Sequence, residues 1–187
     1  MSFFIIYYCE CVWGFSLASS YLSFEEWYSL IASISDEKKK LIFEILYSTG
    51  CSESELISIK FSDVNFSNCM IKIKNRLSRI PFQLISKLEL MQKKENSKKS
   101  DYIFSSRQSP SISTKRLQQI VSEESKNCFE RRITPQDIRT THVCHAILKN
   151  QPILSISNQT GLSTQRIAQV VEEYKEDFKK NAFGYEL

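Results

Sequence analysis

The sequence predicts a mainly α-helical domain (α+β) that carries one small antiparallel β-hairpin sheet. Three observations predict it. Apolar residues recur at three- and four-residue steps through most of the chain, and several of these runs open on a Ser, Thr or Asp with the spacing of a helix cap. One stretch, Met70-Ile71-Lys72-Ile73-Lys74, instead alternates apolar and basic residues with the period of two of a half-buried strand. A length of 187 residues with 42% hydrophobic content is enough for one substantial core.

In chain order, residues 1–21 begin MSFFIIYYCECVWGFSL. No basic stretch precedes this apolar run and Glu10 interrupts it, so it reads neither as a signal peptide nor as a membrane span. An added strand or helix packed on the domain, or a remnant of a longer upstream segment, are the readings left open. The domain itself is expected over 22–178, with a tail over 179–187. Ser23 and Glu26 form a capping box ahead of Phe24, Trp27, Leu30 and Ile31. Ser35 or Asp36 caps a second helix with Leu41, Ile42, Ile45 and Leu46 inward, and Thr49-Gly50 ends it. Ser52 and Glu55 form another capping box, opening a short helix through Ile59 or Lys60.

After the Met70–Lys74 strand a turn is expected over Asn75–Ser78. A returning strand would begin at Ile80-Pro81-Phe82, with Pro81 forcing an edge position. A helix around Leu84–Met91, a polar KKENSKKS loop and an extended Tyr102–Phe104 follow. Ser113 caps a helix bearing Leu117, Ile120 and Val121. Thr134, with Pro135 at the first helical position and Asp137 behind it, starts a helix expected to reach about Asn150. Ile153–Gln159 forms a short helix and Gly161 turns the chain. Ser163 caps a last helix with Ile167, Val170, Val171, Tyr174 and Phe178 on one face.

The formal charge of +4 says little, but its distribution says more. Between Lys72 and Arg116 stand twelve Lys or Arg against three acids, a pattern that suits a polyanion-facing surface, although the KKENSKK run by itself reads as a solvated loop. The cysteines at 9, 11, 51, 69, 128 and 144 form no C-x-x-C pair and no zinc-finger spacing. They read as reduced thiols in an intracellular compartment, and no metal or other cofactor is expected.

A family resemblance arises from segments in unbroken order over roughly 22–174: LSFEEW at 22–27, LIFEILYSTGCSESELISIKFSDV at 41–64, IKIKNRLSRIPF, DYIFSSR, SISTKRLQQIV, TPQDIRTTHVCHAIL and TGLSTQRIAQVV. Together they resemble the catalytic domain of the tyrosine recombinases, the phage integrase family. That resemblance implies the family's helical fold and a role in DNA recombination or integration on double-stranded DNA. The implied chemistry needs no metal: a tyrosine attacks a phosphodiester to give a 3′-phosphotyrosyl link. Arginine and histidine-type donors stabilise the developing charge, and a hairpin lysine protonates the leaving 5′-oxygen.

Carried over residue by residue, the second arginine is Arg139 and the hairpin lysine is Lys74 or Arg76. The first arginine falls on Ser52, the first histidine on Gln136 and the later histidine on Leu162. The usual tyrosine spacing lands on Val171. Tyr174, three residues on and on the same helical face, is the candidate nucleophile, but it also continues an apolar stripe as a core tyrosine would. His145 matches a histidine of this helix in the family, in catalysis or structural support, while His142 fits a core or interhelical role. Loss of one arginine and two histidines implies catalysis weakened or lost. Phosphate and base contacts are expected from Arg76, Arg79, Lys115, Arg116, Thr164, Gln165 and Arg166. Two other readings compete. ILSISNQTGLSTQRIAQVVEEY also resembles the helix-turn-helix of a non-enzymatic DNA-binding regulator, and the chain could be an interaction protein descended from a recombinase. No membrane association is expected, and self-association on DNA stays open.

Overall fold

A computed structural model describes residues 21–106, 109–129 and 131–183, the side chains of 180–183 aside. The expected extension over 1–21 lies outside the described residues except for Tyr21. Helix starts fall where the caps put them. The capping box of Ser23 and Glu26 opens α1 (Phe24–Ser33), Asp36 accepts two backbone N–H groups to open α2 (Glu37–Thr49), and the Ser52–Glu55 box opens α3 (Glu53–Ser58). A single 3-10 turn over Phe61–Asp63 leads into a three-stranded antiparallel sheet of β1 (Val64–Asn65), β2 (Met70–Ile73) and β3 (Arg76–Arg79), in that order. Six helices follow: α4 (Phe82–Lys94), α5 (Thr114–Phe129), α6 (Pro135–Leu148), α7 (Ile153–Thr160), α8 (Thr164–Glu173) and α9 (Lys175–Phe183).

Three local expectations are corrected. The hairpin turn is tighter than expected. Lys74 takes a left-handed φ of 53°, so the strand returns at Arg76, pairing Ile73 with Arg76 and Met70 with Arg79. Pro81 therefore sits not in a strand but at the N-cap of α4, where its missing N–H costs nothing. The third strand, β1, is only two residues long, too short for a period-two signal. The last apolar stripe is also not one helix: α8 ends at Tyr174, whose φ of −109° breaks it, and α9 continues across the expected 178/179 boundary.

The apolar stripes close into two cores that share α6. The larger gathers Leu30, Phe43, Leu46, Leu56, Ile71, Phe104 and Leu117 around α2 and includes Ile138 of α6. The smaller packs Val143, Cys144 and Ala146 of α6 against Ile156, Ile167 and Val170 of α7 and α8, with Tyr21 and Tyr174 at its margin. Each fully buried Leu, Ile or Phe contributes roughly 1.5–3 kcal/mol of hydrophobic transfer energy. The start of the described chain is strapped to α6 by polar groups. Leu22 N–H donates to Thr141 Oγ1 at 2.9 Å, and His145 Nε2 lies 2.9 Å from the Leu22 carbonyl. Among the described residues, no helix is long and apolar enough to cross a membrane.

Gly50 sets how closely α2 and α7 approach. Its φ is +58°, and an added Cβ would stand 2.6 Å from Thr160 Cγ2 and 3.2 Å from His142 Cδ2. A side chain there meets both backbone strain and a packed neighbour. Gly50→Ala is therefore expected to destabilise the fold by about 2–4 kcal/mol, read as a shift in the urea unfolding midpoint; a loss below about 0.5 kcal/mol would contradict this close approach.

Candidate nucleic-acid interface

The site begins with a capping residue that has a second partner. Glu55 closes its box by accepting from Ser52 N–H at 2.8 Å. The same carboxylate, only 5% exposed, receives the guanidinium of Arg76 in a fork: NH1 to Oε1 at 2.8 Å and NH2 to Oε2 at 3.0 Å. Lys74 Nζ approaches Oε1 at 3.5 Å from the solvent side. Burial would raise the Glu55 pKa, but the Arg76 hydrogen bonds, the Ser52 N–H and the charges of Arg76 and Lys74 outweigh it. They hold the carboxyl down to about 2.

Arg76 then joins the hairpin to the far end of the chain. Its Nε donates to the Gln159 carbonyl at 3.2 Å, and its guanidinium lies where a Gly161 Cβ would stand, 2.6 Å from NH1. Only glycine leaves room there, and the left-handed φ of +72° suits it as well. Arg139, one turn into α6, reaches the same turn and donates from NH2 to the Thr160 carbonyl at 2.9 Å. Its Nε is buried and has no hydrogen-bond partner. Burial lowers the Arg139 pKa, with Arg76 acting the same way and Glu55 and Cys51 opposing; a guanidinium stays charged all the same. Lys74 and Arg76 thus share one carboxylate, and Arg139 reaches the turn on which Arg76 is seated, so the three cations outnumber the one acid.

Ser52 and Gln136 also come together, lining with Glu53, Ser54, Thr114 and Pro135 a pocket of about 250 Å³ that therefore carries one carboxylate of its own. Ser52 is engaged as the α3 cap, and Gln136 is exposed at the start of α6. Lys115 and Arg116 are exposed in the first turn of α5, next to Thr114 of that pocket. Thr164, Gln165 and Arg166 are exposed in the first turn of α8, just past Gly161. Arg79 is exposed on β3 and lines a separate cleft of about 860 Å³ with Trp27, Tyr47, His142 and Lys149.

Two sequence candidates sit elsewhere. His145 is 2% exposed, stacks on Phe24 at 3.8 Å, and has both ring nitrogens engaged. The Leu22 carbonyl can only accept, so Nε2 carries the proton and Nδ1 accepts from Tyr47 O–H at 2.8 Å. Burial lowers the pKa of both His142 and His145 to about 4, so neither is a cationic donor at neutral pH. Tyr174 is 7% exposed in the smaller core, its ring edge-on to Tyr21 at 4.9 Å. Among the described residues, no group of three His, Cys, Asp or Glu is placed to hold a metal ion.

Glu55 and Gln159 do not stand out from the sequence alone. Glu55 is fully explained as a capping-box acid, and its second role needs a hairpin residue 21 positions later. Gln159 reads as one more polar helical residue.

The Glu55 carboxylate is held below its unfolded value near 4.5, so its stabilisation is full above about pH 4.5 and is lost as pH falls toward 2. The shift corresponds to on the order of 3 kcal/mol. Glu55→Gln should therefore lose stability at pH 7 and show a flatter pH dependence than the wild type between about pH 5 and 2. Urea unfolding across that range checks it, and parallel curves for the two proteins would contradict the pairing.

Comparison with known proteins gives a consistent answer. The model of the phage integrase family matches residues 20–177. A tyrosine recombinase of Pseudothermotoga lettingae is 28% identical over 156 residues, covering 78% of this chain and 54% of the relative. The chain thus spans about half the length of the curated relative it matches. Among solved structures, the XerA recombinase superposes with a TM-score of 0.73 at 22% identity, over 87% of this chain and 64% of the other. The XerH site-specific recombinase, in a post-cleavage complex with a palindromic difH substrate, does so with a TM-score of 0.74 at 18% identity, over 87% and 52%. At these identities the two structures establish the fold, mainly helical with a small antiparallel sheet.

Proposed function

Because this chain belongs to the phage integrase family, we propose that it binds duplex DNA through the cationic cluster at the β2–β3 turn and acts in DNA recombination or integration, with its strand-cutting chemistry weakened or lost. The observation that carries the reading is the meeting of Lys74 and Arg76, held on Glu55, with Arg139 at the α7–α8 turn, beside the pocket of Ser52 and Gln136. A phosphate offers what this place lacks: a second negative charge for a cluster whose three cations face the single carboxylate of Glu55. Lys115, Arg116, Thr164, Gln165 and Arg166 are exposed and extend the same role to neighbouring phosphates and base edges.

The weakened chemistry rests on particular residues. Ser52 cannot clamp a phosphate bidentately, Gln136 donates hydrogen bonds but shuttles no proton, and Leu162 has no polar side chain. Cutting would require the Tyr174 hydroxyl to release its proton to solvent and attack phosphorus, forming the 3′-phosphotyrosyl bond as the P–O bond to the 5′-oxygen breaks and that oxygen takes a proton, with Lys74 as the candidate donor. Tyr174 would first have to leave its place against Tyr21 and Val170. Phosphate binding needs no such movement. The exposed start of α8 also supports a regulator that binds without cutting, which differs only in having no chemistry at all.

Two measurements test the reading. Binding of a random-sequence duplex should weaken steeply from about 50 to 200 mM salt, and Lys115→Ala with Arg116→Ala should reduce the slope of log K against log salt by roughly 2. Incubation with duplexes nicked within a randomised segment should give little or no detergent-resistant adduct. An abundant adduct abolished by Tyr174→Phe would overturn the loss of chemistry, and binding indifferent to salt would overturn the DNA interface. Separately, Ser52→Arg should place a guanidinium in the small pocket and tighten duplex binding by about tenfold, the value of one charged hydrogen bond; an unchanged Kd would show that the pocket does not face phosphate.

A further inference from the structure

β3 is an edge strand, and an edge strand exposes unpaired backbone groups. Ile80 N–H donates toward β2, to the Cys69 carbonyl at 3.0 Å, so the N–H and C=O of Arg79 face the open side. Both are taken by a single side chain from α7. Arg79 N–H donates to Gln159 Oε1 at 3.0 Å, and Gln159 Nε2 donates to the Arg79 carbonyl at 2.7 Å. The amide thus pairs with the strand edge as another strand residue would. The same Nε2 also donates to the Ser48 carbonyl at the end of α2, at 2.8 Å. The Gln159 backbone carbonyl in turn accepts from Ser78 Oγ at 2.8 Å and from Arg76 Nε at 3.2 Å.

We propose that Gln159 is the positioning residue that fixes the β2–β3 hairpin, and with it Lys74 and Arg76, on the α7–α8 turn before any nucleic acid arrives. The functional consequence rests on the DNA-binding reading above; the geometry does not. A two-residue turn carrying a lysine is mobile when its strand edge is open, because only one neighbour holds it. Here the edge is paired at Arg79 on the side opposite β2, and the pairing residue lies two positions before Gly161, against which Arg76 is seated. Lys74 is therefore presented in one place, and phosphate binding does not have to order the hairpin first. An apolar residue at 159 would leave both Arg79 backbone groups without this partner.

Amide hydrogen exchange on the intact chain tests the closure directly. Gln159→Leu should accelerate exchange of the Arg79 amide by about tenfold relative to the wild type. Duplex binding tests the consequence. Lys74→Ala should weaken binding in the wild-type background, and by about threefold less in the Gln159→Leu background, since a mobile hairpin no longer presents the lysine. A general loss of stability would not move that difference at matched folded fraction. If Gln159→Leu does not fold, Gln159→Glu serves in its place. It keeps the acceptor for Arg79 N–H but loses both donated bonds, so Arg79 should stay protected while the Lys74 effect shrinks. Unchanged Arg79 exchange in Gln159→Leu, or a Lys74 effect equal in both backgrounds, overturns the proposal. Absence of duplex binding by the wild type would instead defeat the DNA reading and leave the exchange result to decide the hairpin.

Discussion

The fork between Glu55 and Arg76 organises the functional end of this molecule. It joins a helix cap to a strand, and that strand to the α7–α8 turn, three parts of the chain that are remote in sequence. The pair is largely shielded from water, with side-chain exposures of 15% for Arg76 and 6% for Glu55. Buried ion pairs are not automatically stabilising, because two charges must be desolvated. This one meets the conditions under which the balance is favourable. Its geometry is bidentate, the remaining carboxylate capacity is used by the Ser52 N–H, and Arg76 Nε finds the Gln159 carbonyl. Loss of either partner would leave the other charge buried and alone, a cost of about 3–5 kcal/mol in comparable sites.

On the proposed reading, two tasks that one active site would normally combine come apart. Holding a phosphate needs fixed positive charge, and the cluster of Lys74, Arg76 and Arg139 keeps a surplus of it after Glu55 is counted. Cutting the phosphodiester needs in addition a nucleophile within reach and donors aimed at charge that appears only in the transition state. Ser52, Gln136 and Leu162 supply less of the second requirement than an arginine and two histidines would. The histidines of α6 are held by packing and hydrogen bonds. His145 spends its two nitrogens on Leu22 and Tyr47, strapping the start of the described chain across the helix. Tyr174 closes the smaller core where α8 gives way to α9.

Much of this was legible in the residues. Helix starts at Phe24, Glu53 and Pro135 follow from capping boxes, whose logic is local: two backbone donors and two side chains within four residues. Gly50 was readable as a helix-ending cap and Gly161 as a turn for the same reason. The hairpin was misplaced because its turn depends on Lys74 adopting a positive φ, which a lysine does not advertise. β1 was missed because two residues cannot show a period. At the site, the family pattern pointed to Arg139 and Gln136 and, for the hairpin cation, to Lys74 or Arg76. The partnership of Arg76 with Glu55 could not be seen, since each residue already had a sufficient local explanation. Gln159 was invisible because a side-chain amide acting as a strand neighbour leaves no mark on composition or spacing.

On the proposed function, one face, built where α3, the β2–β3 turn, α6 and the α7–α8 turn meet, receives the DNA backbone. Backbone amide shifts of the intact chain, followed by nuclear magnetic resonance during titration with a short duplex, locate the bound DNA directly. The account predicts perturbations concentrated at Ser52–Ser54, Lys74–Arg76, Gln136–Arg139 and Gly161–Arg166, with Tyr174 and His145 little changed. Perturbations confined to the cleft between Trp27 and Lys149, or spread evenly over exposed lysines such as Lys98 and Lys99, would contradict it.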